Sequence, residues 1–203
     1  MDQDPALGVI LASSSRTRAA LLEGAGVEFT IQVPAMDEDE IKRAMAAEGA
    51  DAALIAESLA TAKAIRISQR HRDVLVIGAD QMLECEGVWY DKPATIDKAR
   101  SQLLALRGRS HQLISCVTVV RDGQRMWHHL ARAELTMRSF SDIFLDDYLE
   151  KAGPDIFDSV GAYRLEGIGV QLFSSISGDY FTVLGLPLLP LLDFLRTHQV
   201  VTP

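Results

Sequence analysis

At 203 residues, 48% hydrophobic and 24% charged, the chain suits one soluble globular domain, residues 1–203, with a sizeable core. Its 28 acidic against 20 basic side chains leave a formal charge of -8. That balance argues against nonspecific nucleic-acid or anionic-membrane binding, but not against a small anionic substrate held by a few local cations. Two cysteines, Cys85 and Cys116, make neither a disulfide framework nor a closed zinc site, and they point to a reducing, cytoplasmic compartment.

In chain order, Met1–Leu7 carries Asp2 and Asp4 and lacks a cationic stretch followed by an apolar one, so no signal peptide is expected. Leu7–Ala12 reads as an apolar strand running into Ser13-Ser14-Ser15, and Arg16–Glu23 as a helix stopped by Gly24 and Gly26. Val27–Val33 alternates and predicts a strand ended by Pro34. Asp37–Glu48 and Asp51–Arg70 predict two helices, the second with Leu54, Ile55, Leu59, Ala62 and Ile65 on one stripe and Lys63 beside it. Val74–Ile77 predicts a strand buried on both faces, delivering Gly78-Ala79-Asp80 to its carboxyl end.

Met82–Tyr90 predicts a short hairpin about Glu86-Gly87, and Lys92-Pro93 leads into a helix over Ile96–Leu106 capped by Gly108. Asp122-Gly123 is the strongest hairpin signal, joining strands Gln112–Val120 and Met126–Met137. A helix follows over Ser141–Glu150, then a glycine-punctuated stretch from Gly161 to Gly178, then a last helix over Pro187–His198. Interleaved strands and helices with a long hairpin predict an α/β class with a mixed central sheet flanked by helices. The longest apolar stretch, Leu184–Leu195, is broken by Pro187, Pro190 and Asp193 and is too short to span a bilayer.

Several chemistries fail on their motifs. No G-x-x-x-x-G-K-[ST] is present, Gly167-Ile168-Gly169 lacks a third glycine, no G-x-S-x-G exists, and His128-His129 adjoin on a strand facing opposite sides. A P-loop, a dinucleotide fold, a serine-hydrolase triad and a zinc protease are therefore set aside. The serine turn is either a plain N-cap or a phosphate cradle with Arg18 one turn on. Asp80 is either an Asx turn or a carboxylate at the ligand-binding end of an open sheet. Lys63 and Lys92 read as solvated lysines, and Glu38 as part of an acidic first turn, unless something gathers them.

Six segments occur in order: LASSSRTRAALL, MDEDE, ESLATAKA, VIGADQMLECEGVWYDKP, GAYRLEGIGVQLF and GDYFTVLGLPLLPL. Together they resemble the Maf family of nucleoside triphosphate pyrophosphatases, from about Leu11 to Leu195, and the resemblance implies a Maf/ITPase-like fold. It also implies phosphate binding by Ser13, Ser15, Arg18, Lys63 and Lys92, a catalytic base at Asp80, and a divalent cation, Mg²⁺ or Mn²⁺, held by Glu38 and Asp80. A nucleoside triphosphate substrate and a homodimer follow from the same likeness.

The family's S-x-S-P-R-R pattern is broken here, with Arg16 in place of the proline and Thr17 in place of the first arginine. Gln81 and Glu166 are similar to the 7-methyl-GTP pyrophosphatase branch, which tends to carry tryptophan where this chain has Thr17. Thr17, Gln81 and Glu166 are thus the expected specificity positions. A dTTP/UTP pyrophosphatase and a non-catalytic, nucleotide-binding regulator of cell division are the alternative readings.

Overall fold

A computed structural model describes residues 8–202. The acidic segment Met1–Leu7, with the expected first residue of the opening strand, lies outside them.

Seven strands form one mixed sheet. They are β1 (Gly8–Leu11), β2 (Thr30–Ile31), β3 (Val74–Cys85), β4 (Val88–Tyr90), β5 (Ser110–Arg121), β6 (Gln124–Met137) and β7 (Phe173–Ser177). The order is β2-β1-β3-β5-β6-β7, with β4 also on β3. β1 runs parallel to β2 and β3, and the remaining pairs are antiparallel. The helices are α1 (Arg16–Gly24), α2 (Glu38–Ala47), α3 (Ala52–Ser68), α4 (Ile96–Leu106), α5 (Asp142–Ala152), α6 (Tyr180–Val183) and α7 (Leu188–Thr197). Short 3-10 turns fill much of the span 153–172.

The period of two along β3 sends alternate side chains to opposite faces. Leu75, Ile77 and Ala79 pack with Ala19 and Leu22 of α1 and Leu191 and Leu195 of α7. Val76 and Met82 face α3, where they meet Ala64, Ile67, Ile55 and Leu59. Gly78 and Asp80 share that parity. At Gly78 a Cβ would stand 2.1 Å from the Ala60 carbonyl oxygen and 2.9 Å from Ala64 Cβ. Glycine there, opposite two alanines, lets α3 lie against the strand.

Both expected hairpins form. Glu86-Gly87 and Asp122-Gly123 all take positive φ, the backbone that two-residue turns between twisted strands require. Four expectations are corrected. The strand over Val27–Val33 shrinks to Thr30–Ile31, because its one neighbour, β1, is itself only four residues long and pairs with it just at Ile10 and Leu11. The strand through Val74–Ile77 does not end before Asp80: β5 pairs it as far as Glu84 opposite Gln112, so Asp80 lies inside β3. The buried stripe of α3 is Ile55, Ala56, Leu59, Ala60, Lys63, Ala64 and Ile67, while Leu54 is 50% exposed. The glycine-punctuated stretch ends in a strand, β7, because β6 extends along it from Glu134 to Met137. Among the described residues no helix is long and apolar enough to cross a membrane.

Candidate active site

Two short strands share one edge of β3 and leave a gap between them. β1 pairs with β3 only as far as Leu11 opposite Ile77, and β4 begins at Tyr90 opposite Leu83. Between these limits Gly78–Met82 has no strand on that edge, and the chain leaving β1 turns at once into the serine loop and α1. Arg18 of α1 enters the gap: Nη1 donates to Ala79 O at 2.9 Å and Ser13 Oγ at 3.2 Å, and Nε donates to Gly185 O at 2.8 Å. Burial pushes its guanidinium below the ordinary value, and the charges of Asp80 and Glu38 oppose that shift.

On the other face of β3, α3 brings Lys63 to Asp80. Lys63 Nζ donates to Asp80 Oδ1 at 2.7 Å and lies 2.8 Å from Glu38 Oε2 in the first turn of α2. Both Lys63 and Asp80 side chains are 8% exposed. The ammonium thus joins two carboxylates from two other elements. Asp80 Oδ2 is buried and has no hydrogen-bond partner among the described residues. A buried acceptor without a donor is uncommon and marks a place where a water, ion or ligand belongs.

The serine turn uses its hydroxyls locally. Ser13 Oγ accepts from Ser15 N at 3.2 Å, and Ser15 Oγ caps α1 by accepting from Arg18 N at 3.3 Å. What remains for a ligand are the first-turn amides of Arg16 and Thr17, which have no intrahelical acceptor.

All ten residues expected from the sequence line one cleft of about 1060 Å³: Ser13, Ser15, Thr17, Arg18, Glu38, Lys63, Asp80, Gln81, Lys92 and Glu166. Thr17 Oγ1 is 3.5 Å from Glu166 Oε1. Gln81 is turned one way by its neighbours, since Nε2 donates to Ser115 Oγ at 2.9 Å and to the carbonyls of Thr182 and Val183 at 3.1 Å each. Its amide therefore offers the cleft only the oxygen, Oε1. Burial first, and then the charge of Arg18, hold the Lys92 ammonium below its ordinary value. Lys92 stands exposed at the mouth, where solvent screens much of that effect.

Sequence reasoning missed Lys42, Arg43, Tyr163 and Arg164, which line the same cleft. Burial works against the Lys42 ammonium, but Asp91, through its hydrogen bond and its charge, outweighs it and raises the group, helped by Asp80 and Glu38. The spacing of Glu38 and Lys42, four apart on α2, could have signalled one shared face. In all, six basic and seven acidic side chains line the cleft.

These features define a mixed α/β protein with a charged, nucleotide-sized cleft set in a gap of its own sheet. Residues 8–198 match the family described as Maf-like protein, and the chain belongs to that family. It is 57% identical over 194 residues to a "Nucleoside triphosphate pyrophosphatase" of Paramagnetospirillum magneticum, covering 96% of this chain and 100% of that protein. A "7-methyl-GTP pyrophosphatase" of Rhizobium meliloti is 45% identical over 188 residues, 93% of this chain and 94% of that one. Among solved structures, a HAM1 protein from Coxiella burnetii gives a TM-score of 0.46 at 18% identity, covering 66% of this chain and 74% of that chain.

Proposed function

We propose that the protein hydrolyses a nucleoside triphosphate to the monophosphate and pyrophosphate, with preference for a guanine-type base, including its 7-methyl form. The observation that carries this reading is Asp80 in the cleft lining, its buried Oδ2 without a partner while Lys63 occupies Oδ1. A carboxylate oriented by one oxygen and unpaired at the other can accept a proton from a water poised beside the α-phosphorus. Loss of that proton lets the water oxygen form a bond to the α-phosphorus as the bond to the bridging oxygen breaks and pyrophosphate departs.

Positioning and charge carry most of such a reaction. The free amides of Arg16 and Thr17 bind phosphate oxygens at the start of α1. Lys92 and Lys42, both on the cleft wall, face the leaving pyrophosphate. Arg18 has spent Nε and Nη1 on backbone and serine oxygens, so it fixes the gap and offers Nη2.

A divalent cation fits these residues. The carboxylates of Asp80 and Glu38, both beside Lys63 Nζ, are hard oxygen donors that would hold Mg²⁺ or Mn²⁺. Among the described residues no group of three or more His, Cys, Asp or Glu could hold an ion alone, so the cation would need further ligands from the substrate or water. With seven acidic against six basic side chains, the cleft without a cation is a poor host for a polyanion. When bound, the cation would neutralise phosphate charge and acidify water.

The base preference rests on hydrogen-bond complementarity. Gln81 presents Oε1 alone, and Glu166 is a carboxylate, so both are acceptors. The guanine edge offers N1–H and N2–H₂, whereas uracil and thymine offer one donor between two carbonyls. The carboxylate also offsets the positive charge of a methylated guanine.

The test is pyrophosphate release from GTP, 7-methyl-GTP, UTP and dTTP with Mg²⁺ or Mn²⁺, repeated with a chelator. The expected result is cation-dependent release with the guanine substrates fastest. Diphosphate and free phosphate as first products would contradict the activity, and dTTP or UTP as best substrate would contradict the base preference.

A further inference from the structure

Glu166 carries all its hydrogen bonds on one oxygen. Arg164 Nε and Nη2 both donate to Glu166 Oε1, at 3.0 and 2.9 Å, and Thr17 Oγ1 approaches the same atom at 3.5 Å. The third arm of the guanidinium is also held, since Arg164 Nη1 donates to Asp155 Oδ2 at 3.1 Å. Asp155 in turn lies 3.5 Å from Arg16 Nη2 at the start of α1, which reaches Asp158 at 2.7 Å.

The backbone beneath is closed just as tightly. Gly167 N donates to Arg164 O at 3.3 Å. At Gly169 a Cβ would fall 2.4 Å from Arg164 O and 2.9 Å from Arg164 N, so the loop folds back onto Arg164 only with glycine there. Main chain and side chain together fix where the guanidinium sits. Arg164 lies inside the family segment GAYRLEGIGVQLF, but neither it nor this fork was among the expected site residues.

We propose that Arg164 is a positioning residue that determines base specificity, by clamping Oε1 of Glu166 and leaving Oε2 as the acceptor presented to the base. The proposal rests on the reading of Glu166 as a base-facing group. A planar fork braced at three nitrogens is a job for arginine; lysine keeps the charge as a rotating point donor and cannot brace both carboxylates in that geometry. Removing Arg164 outright would also leave the rim more negative and repel every triphosphate alike. Arg164→Lys preserves the charge and removes only the fork, so it separates the two effects.

The measurement is kcat and KM for GTP and UTP, with Mg²⁺, in wild type, Arg164→Lys and Glu166→Gln, beside the thermal unfolding midpoint of each. The expected result is a GTP-over-UTP ratio of kcat/KM lowered about fivefold in Arg164→Lys, carried by KM for GTP, at an unchanged midpoint. A ratio left at the wild-type value, or a loss carried by kcat for both nucleotides, overturns the proposal. If Glu166→Gln moves the ratio and Arg164→Lys does not, the clamp alone is wrong. If neither moves it, Glu166 does not read the base and the proposal falls with that reading, while pyrophosphate release still stands or fails on its own assay.

Discussion

Lys63 and Asp80 meet on the inner wall of the cleft with side chains 8% exposed, whereas Arg16, with its side chain 76% exposed, reaches across the outer rim to Asp158. The two contacts are of similar length, 2.7 Å each. Their surroundings differ. On the inner wall both side chains are buried, so each charge depends on its partner for solvation. On the rim, water solvates either charge if the other leaves, and an exposed ion pair adds little to folding. Charges on the inner wall are therefore structural and chemical at once, while those on the rim orient groups without carrying the fold.

The comparison breaks most sharply at Asp80. Asp80→Asn removes the proposed proton acceptor, and turnover should fall about 10²- to 10⁴-fold with saturating cation while nucleotide binding persists. Retention of more than a third of the wild-type rate would show that the inner wall is structural only.

Lys63→Met should be the most destabilising single change of the set. It strands Asp80 without its counter-charge, and losing one partner of a buried pair costs about 3–5 kcal/mol. Adding Asp80→Asn should restore much of that loss, because the stranded charge is then gone. Denaturant midpoints of the two single variants and the double variant measure it, and strict additivity would refute the coupling.

A buried histidine behind the cleft residue Tyr163 responds to acid. Burial holds the His111 imidazole down to about 4, with Nε2 paired to Tyr163 Oη at 2.8 Å and Nδ1 unpartnered. The unfolded chain takes up this proton near pH 6.5, the folded one only near pH 4. Stability is therefore lost as pH falls through that window and levels off below it, by an order of magnitude of about 3 kcal/mol. His111→Gln should flatten the unfolding midpoint between these pH values; an unchanged slope would assign the acid sensitivity elsewhere.

Gly78→Ala tests the approach of α3 directly. The new Cβ meets a backbone carbonyl rather than a flexible side chain, and overpacking of this kind costs about 1–3 kcal/mol. The displacement should also slow turnover, since Lys63 rides on the helix that must move. The smallest effect is expected at the rim: Arg16→Ala should leave the unfolding midpoint at its wild-type value, and a clear drop would show that the rim carries the fold after all.

What could be read from the chain beforehand followed the range of the interactions. Glu86-Gly87 and Asp122-Gly123 marked their hairpins because a two-residue turn is fixed by its own backbone. The serine cap of α1 was local in the same way. The gap in the sheet was not legible, because it arises from the unequal lengths of β1 and β4 along β3, set by residues far apart in sequence. Continuation of β3 through Asp80 depends on β5, and burial of Lys63 depends on Gly78. Each candidate residue was recognisable through the ordered family segments; the hydrogen bonds that leave Asp80 Oδ2 unpaired, commit Arg18 and turn Gln81 one way were not. The clamp of Arg164 on Glu166, two residues apart, was short-range but looked like any solvated pair.

Under the proposed reaction a water attacks the α-phosphorus, and the path of that water's oxygen tests it most directly. Hydrolysis of GTP in ¹⁸O-labelled water with Mg²⁺, read by mass spectrometry of the products, should place the label in the monophosphate and leave pyrophosphate unlabelled. Label in the pyrophosphate, or release of labelled free phosphate with guanosine diphosphate, would put the attack at another phosphorus and contradict it.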